Sequence, residues 1–180
     1  MRTRSPLAIL FGIIFVDLVG FGIVIPVLPL YADRFGATPV GVGLLLGVYS
    51  FMQMICAPLL GRWSDRIGRR PVLLVSVLGS SAGFLLMGLA PSLPLLFLGR
   101  IVDGATGGNI STARAYVADV TEPQDRARAY GLIGAAFGLG FIIGPALSGV
   151  LAKVSYTAPI WAAATITLVA TAMAWLWLPE

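Results

Sequence analysis

An acidic side chain lies inside the first long apolar segment of the chain. Asp17 follows Leu7 by ten residues, about 15 Å along a helix and close to the middle of a bilayer. Hydrocarbon disfavours the charged form of a carboxyl group, and a nearby cation favours it. A group that gains and loses a proton with its surroundings suits proton coupling or substrate binding. The alternative is a structural carboxylate that stays paired with a neighbouring helix.

A second set of charged side chains lies in a later apolar segment. Arg100 and Asp103 are spaced i, i+3, so they can meet on one face of a helix. Arg114 follows eleven residues later and returns to that face, with small residues between. This narrow polar face is typical of a cavity wall or a close helix contact. We expect Arg100 to be functional, whereas Asp103 is either functional or neutralises Arg100.

Two polar side chains on another apolar segment lie one helical turn apart. Tyr49 and Gln53 are spaced i, i+4 and share a helix face. They are candidates for the wall of a substrate pathway. Plain packing explains Tyr49 equally well.

A charged decapeptide separates two apolar segments of about twenty residues each. Residues 61–70 read GRWSDRIGRR and contain four arginines. Positive charge near helix ends resists translocation, so these arginines predict a tight cytoplasmic loop. Within it, Asp65 can pair with Arg69 at i+4 or accept hydrogen bonds from a facing helix N-terminus. The alternative is a solvated loop that serves topology alone.

The composition places the chain among membrane proteins. Hydrophobic residues make up 58% of its 180 residues and charged residues only 11%, against about 25% charged in soluble domains. The net charge of +4 does not indicate nucleic acid, because the arginines lie between apolar runs. The chain has no histidine, which excludes histidine-based triads, metal sites and proton relays. We find no catalytic constellation, and we expect neither an enzyme nor a metal or other cofactor.

The apolar segments predict an all-α fold, a single bundle of six transmembrane helices over residues 1–180. Their expected ranges are about 7–30, 41–61, 71–90, 94–117, 129–152 and 157–178. The first is too long for the core of a cleavable signal peptide. Nine Lys and Arg residues fall on the side of the arginine loop and two on the other, so both termini are predicted to be cytoplasmic.

Pairs of glycines spaced i, i+4 recur along these segments. Such pairs let helix backbones approach closely in lipid, where no hydrophobic force drives helices together. In the fifth segment Gly140 and Gly144 share one face, whereas Gly131, Gly138 and Gly149 share the other. The fifth helix is therefore expected to pack closely against two neighbours, and Pro145 is expected to bend it.

Several of these motifs together resemble the major facilitator superfamily of secondary transporters. The pattern G-x-x-x-D-R-x-G-R-R at 61–70 is similar to the loop between its second and third helices, and residues 98–104 look like its helix 4 motif, R-x-x-x-G. The glycines of the fifth segment resemble the antiporter motif of drug:proton exporters, with Ser148 where a glycine is usual. Residues 17–29 and 116–121 look like the tetracycline and multidrug exporter branch.

The resemblance implies a role for each group of residues. Asp17 would be the protonation site, tuned by Arg100 with Asp103. The cytoplasmic gate motif would comprise Gly61, Asp65, Arg66, Gly68, Arg69, Arg70 and their partner Asp119. The antiporter motif, a seal that prevents leak and favours exchange, would comprise Gly131, Gly140, Gly144, Pro145 and Gly149. Tetracycline exporters carry a further acidic residue in helix 3, where this chain has Ser80-Ser81-Ala82-Gly83, so tetracycline is not the expected substrate.

The resemblance covers only the first of the family's two six-helix halves. We expect a proton-coupled exporter of drugs or small molecules in the cell (inner) membrane, working by alternating access. Its partners would be the lipid bilayer, protons, a drug-like substrate and a second six-helix half. That half would be a second copy of the chain, a separate C-terminal partner or the rest of a longer chain, the last being slightly favoured. The alternative function is a non-transporting docking or regulatory module of the membrane.

Overall fold

The computed structural model describes residues 6–179, in which every regular element is a helix. This confirms the all-α prediction. Arg2 and Arg4 are two of the nine basic residues that the topology prediction counts on the cytoplasmic side, and they lie outside the described residues. The helices are α1 (Pro6–Asp33), α2 (Pro39–Ile67), α3 (Arg69–Gly88), α4 (Leu93–Thr106), α5 (Asn109–Val120), α6 (Arg126–Leu151) and α7 (Ala158–Trp177).

The prediction of one unbroken helix over 94–117 is wrong. The helix stops at Thr106 and starts again at Asn109, with Gly107 and Gly108 between. Gly107 has ψ +45°, which is not helical, and its carbonyl accepts a side-chain hydrogen bond from Gln53 of α2. Two consecutive glycines carry the highest backbone-entropy cost of a helix interior, so the break falls where helix propensity is lowest.

The arginine-rich loop predicted over 62–70 is also absent. Helix α2 continues to Ile67, α3 begins at Arg69, and Gly68 alone joins them. Gly68 has φ +99° and ψ +160°, a conformation that is essentially restricted to glycine. Its N–H donates to the carbonyl of Ser64 and so ends α2. The arginines therefore lie on the ends of two helices rather than on a flexible connection.

Gly68→Ala is expected to destabilise the bundle by about 1–3 kcal/mol, because a residue that carries a Cβ cannot adopt this backbone conformation without strain. Gly61→Ala is the matched control within the same motif. Gly61 lies inside α2, and a Cβ there would meet nothing within 4 Å. Alanine should stabilise that position by about 0.5–1 kcal/mol. Thermal unfolding of both variants in detergent measures the difference, and equal midpoints would contradict it.

The most extensive contacts join the helices in the succession α6, α1, α7, α3, α4 and α2. Helix α1 packs along α6 and α7, α3 packs along α4 and α7, and α2 packs on α4. Glycines allow the closest of these approaches. A Cβ on Gly83 of α3 would lie 2.8 Å from the carbonyl oxygen of Gly99, and one on Gly104 would lie 2.9 Å from the Cα of Tyr49. Helix α4 therefore touches the backbones of α2 and α3.

Two apolar clusters fill the interior, and on α1 they divide between Leu18 and Val19, next to Asp17. One contains the first half of α1, from Ile9 to Leu18, with parts of α3, α5, α6 and α7. The other contains the second half of α1, from Val19 to Ala32, with parts of α2, α3, α4 and α7. The buried carboxylate thus lies at the division between two apolar cores.

Five of the described helices are long and apolar enough to cross a membrane, namely α1, α2, α3, α6 and α7. Helices α4 and α5 are each too short. Together with the two glycines between them, α4 and α5 cover residues 93–120 of the sequence, which include the predicted fourth span at about 94–117.

Candidate functional site

A cavity of about 540 Å³ lies beside Asp17 in the middle of the bundle. This volume falls in the range of small-molecule sites. Its wall combines polar or charged side chains with aromatic ones. The polar members are Asp17, Tyr49, Ser50, Gln53, Ser80, Asp103, Asn109, Ser111 and Arg114, and the phenylalanines are Phe21, Phe84 and Phe137. Most of the candidate residues of α1, α2 and α4 therefore meet at one site.

Asp17 is buried, with 4% of its surface exposed. Its Oδ2 accepts a hydrogen bond from the side-chain amide of Asn109 on α5. Its Oδ1 has no hydrogen-bond partner among residues 6–179. An unsatisfied carboxyl oxygen away from water is costly, so Oδ1 is the atom of this site that most needs a proton or another donor.

Arg100 does not contact Asp17. Its Nη1 lies 3.1 Å from Oδ2 of Asp103, and both side chains are almost fully buried. The guanidinium Cζ lies 4.4 Å from the centre of the Tyr49 ring, within the range of a cation–π interaction. Ser80 of α3 also hydrogen-bonds Asp103. The arginine is therefore held by residues of α2 and α4, and its effect on Asp17 stays a prediction.

Tyr49 and Gln53 line the cavity and contact one another. The Gln53 Nε2 donates to the Tyr49 hydroxyl at 3.1 Å and to the carbonyl oxygen of Gly107 at 2.9 Å. Arg114 also lines the cavity, although it lies beyond the break and on a different helical segment from Arg100. The role of Tyr49 and Gln53 in a substrate pathway stays a prediction.

Asn109 is the site residue that the sequence interpretation missed. It lies 92 residues from Asp17 in the sequence, and an amide within an apparent apolar span gave no pattern to follow. The available signal was Gly107-Gly108, because paired glycines mark breaks in helical patterns. A break there makes the next residue the first of a new helix and turns its side chain toward a different neighbour.

At the end of the bundle that carries the arginines, Arg69 connects three helices. Its Nε donates to Asp119 Oδ2 at 2.8 Å, and its Nη1 donates to Ser64 Oγ at 2.7 Å and to Asp65. Ser64 and Asp65 lie in the last turn of α2, and Asp119 lies in the last turn of α5. One guanidinium thus ties the ends of α2, α3 and α5 together. Arg66 is exposed on the last turn of α2.

The neighbouring Arg70 reaches a fourth helix. Its Nη2 donates to the carbonyl oxygen of Trp175, in the last turn of α7, at 2.5 Å. Cations near the last carbonyls of a helix are stabilised by the helix dipole. Each arginine of this pair therefore contacts different helix ends.

The glycines of α6 divide as predicted, but only one face is covered by this chain. A Cβ on Gly140 would lie 2.9 Å from Leu18 Cβ, and one on Gly144 would lie 2.6 Å from the Cα of Gly22 on α1. At Gly131, Gly138 and Gly149 a Cβ would meet nothing within 4 Å. Within the described residues α6 therefore has one close neighbour at its glycines, α1, and the second neighbour stays a prediction; Pro145 is exposed on the same helix.

The fold and the site define a class: a polytopic helical membrane protein with a partly charged cavity between its helices. The family model described as Major Facilitator Superfamily matches residues 10–180. The chain belongs to the major facilitator superfamily.

Curated relatives are named for drug resistance. The class C tetracycline resistance protein of Escherichia coli is 44% identical over 169 residues, covering 92% of this chain and 43% of that protein. Multidrug resistance protein 1 of Bacillus subtilis (strain 168) is 34% identical over 180 residues, covering 99% of this chain and 46% of that protein. The chain therefore spans less than half the length of these relatives.

A solved structure has the same fold. The crystal structure of the human organic anion transporter MFSD10 (TETRAN) matches with a TM-score of 0.88 and 28% identity. The match covers 100% of this chain and 48% of that chain.

Proposed function

We propose that the chain supplies the N-terminal half of a proton-coupled exporter of drug-like small molecules. The observation that carries the proposal is Asp17 Oδ1, which is buried beside a cavity of about 540 Å³ and has no hydrogen-bond partner in residues 6–179. Ionisable groups in a membrane interior mark proton and substrate pathways. Asp17 would exchange a proton for substrate at this oxygen.

The other candidate residues would act around this step. The Arg100–Asp103 pair would set the field at the cavity, and Tyr49 with Gln53 would form the wall on α2. The ties that Arg69 and Arg70 make to the ends of α2, α5 and α7 would hold one conformation and release in the other. This would form the cytoplasmic gate, with both termini on the cytoplasmic side of the inner membrane.

A second six-helix half would complete the carrier. Helix α2 is largely exposed along its apolar length, as is the glycine face of α6. The family's halves are related by an axis along the membrane normal, so either a second copy or a C-terminal half would cover both helices in the same way. Exposed apolar faces also fit a docking module, and the experiment below separates these functions.

We propose a drug-like substrate without choosing tetracycline, although tetracycline resistance proteins are among the relatives. Gly83 of α3 has no room for a side chain, because a Cβ there would lie 2.8 Å from both Asp103 Cβ and the Gly99 carbonyl oxygen. The nearby side chains Ser80 and Ser81 are neutral. Helix α3 thus contributes no carboxylate to this cavity.

Inverted membrane vesicles test the function directly. Vesicles would contain the chain alone, or the chain fused to the C-terminal half of multidrug resistance protein 1, and would be challenged with a panel of lipophilic drugs. We expect drug-evoked proton movement that Asp17→Asn abolishes, because an amide cannot take up a proton. Activity of the chain alone would indicate a homodimer. Silence of both folded preparations, or full activity of Asp17→Asn, would overturn the proposal in favour of a docking module.

A further inference from the structure

Asn109 occupies a special position, as the first residue of α5 after the break. Its side chain is 93% buried and lies between α1 and the start of its own helix. Because of the break the Asn109 amide faces α1, whereas a continuous helix would turn a different face toward α1. Asn109 also lines the cavity beside Asp17.

The orientation of the Asn109 amide is fixed by its own backbone. The N–H of Ile110 donates to Asn109 Oδ1 at 2.8 Å. Because a backbone N–H only donates, this atom must be the amide oxygen, and the NH₂ group must face the other way. That group donates to Asp17 Oδ2.

An amide NH₂ is a donor in every protonation state of its partner. Asp17 Oδ2 must therefore act as the acceptor, both in the carboxylate and in the neutral acid. In a neutral acid the carbonyl oxygen accepts a hydrogen bond better than the hydroxyl oxygen, so this contact favours a proton on Oδ1, the oxygen that has no partner in the described chain. The hydrogen bond persists through the whole proton cycle, so the carboxyl group need not rotate when it binds or releases a proton.

We propose that Asn109 is a positioning residue for proton coupling, which holds the Asp17 carboxyl group so that the proton binds at Oδ1. The role in proton coupling rests on the proposed function, whereas the effect of Asn109 on the Asp17 carboxyl group can be measured without transport. The donor also favours the charged carboxylate, because a hydrogen bond to an ionised group is stronger than one to a neutral group.

Helix α2 holds the break in place. Gln53 of α2 donates to the carbonyl oxygen of Gly107, and a Cβ on Gly108 would lie 2.9 Å from Leu60 Cβ. A tilt of α2 would therefore move the break, and with it the amide that faces Asp17. This connects the position of α2 to the orientation of the proton-binding oxygen.

Other charged and titratable groups face Asp17 from the elements around it. They are Tyr49 from α2, Asp103 from α4 with Arg100 behind it, and Arg114 from α5, whereas α3 contributes Ser80 and α6 contributes Phe137 to the wall. The Asn109 variants change none of these residues. A difference between variants at position 109 therefore reports the amide itself.

Infrared titration of the 180-residue chain in lipid vesicles tests the inference without transport. The readout is the carbonyl stretching band of a protonated carboxyl group that Asp17→Asn removes. Asn109→Ala should move this band to higher frequency, because the carbonyl oxygen Oδ2 loses its hydrogen-bond donor. Asn109→Asp, which is isosteric, should also move the band, because a carboxylate at this position has no N–H to donate.

The two variants separate positioning from a purely structural role. A structural role predicts loss of folding in Asn109→Ala and an unshifted band in the isosteric Asn109→Asp, whereas positioning predicts a shifted band in every variant that folds. Ser81→Ala on α3 is the control: its buried hydroxyl donates to the Val77 carbonyl oxygen and does not line the cavity, so the Asp17 band should stay unchanged. An unaltered band in both Asn109 variants would overturn the inference. Absence of drug-evoked proton movement in the unmodified chain and its fusion, together with the expected band shifts, would overturn only the proposed function.

Discussion

Arg100→Gln is expected to lower the free energy of unfolding of the bundle by about 3–5 kcal/mol. Arg100 and Asp103 form an ion pair in which each side chain is 2% exposed. Removing one partner leaves the other charge buried and uncompensated, which is the costly way to disrupt such a pair. Loss of the guanidinium also removes its contact with the ring of Tyr49. Thermal unfolding in detergent, followed by circular dichroism, measures the effect.

The double variant Arg100→Gln/Asp103→Asn is the matched control. It removes both charges and leaves two neutral amides of similar volume, so most of the lost stability should return. Transport should not return with it, because the field that the pair creates at the cavity is absent. A double variant that is as unstable as the single one would show that packing of Arg100, rather than charge, supports the fold.

Gly144→Val is expected to separate α1 from α6 and to destabilise the bundle by about 3 kcal/mol, at the upper end of overpacking effects. A Cβ at this position would lie 2.6 Å from the Cα and carbonyl carbon of Gly22. These are backbone atoms, so no side-chain rotation relieves the clash and a whole helix must move. The unfolding temperature in detergent should fall.

Gly138→Val provides the comparison on the same helix. Gly138 lies on the exposed face of α6, where a Cβ would meet nothing within 4 Å. The folded chain alone should therefore keep its unfolding temperature, and alanine or valine should even favour the helix over glycine. Equal losses of stability in both variants would contradict close packing as the reason for Gly144, and would indicate that α6 needs the conformational freedom of glycine at both positions.

The sequence predicted the apolar helices well because hydropathy reports burial in lipid directly. The predicted span over 71–90 lies within two residues of α3 at either end. Charge, by contrast, was a poor guide to helix ends. The arginines of residues 62–70 indicated a loop, but helices α2 and α3 continue through them, since charged side chains at a membrane surface are compatible with helix.

The candidate site could be predicted only in part. Asp17, Arg100 and Asp103 were evident because a charge in an apolar segment is conspicuous. Which of them would meet was not, because the break at Gly107-Gly108 changes the direction of every side chain after it. The pairing of Asp119 with Arg69 was expected from the family resemblance, and the structure places these two side chains in contact. Their function as a gate stays a prediction.

The single-residue junction at Gly68 has a consequence for any change in the angle between α2 and α3. A flexible connection would let the two helices move independently, and its many conformations would absorb the displacement. Here only the two backbone torsions of Gly68 lie between the helices, and on one side they adjoin the arginine that ties three helix ends together. A change in this angle must therefore be absorbed by those two torsions or by a bend within α2, where Pro58 lacks a backbone N–H and lies in the wall of the cavity.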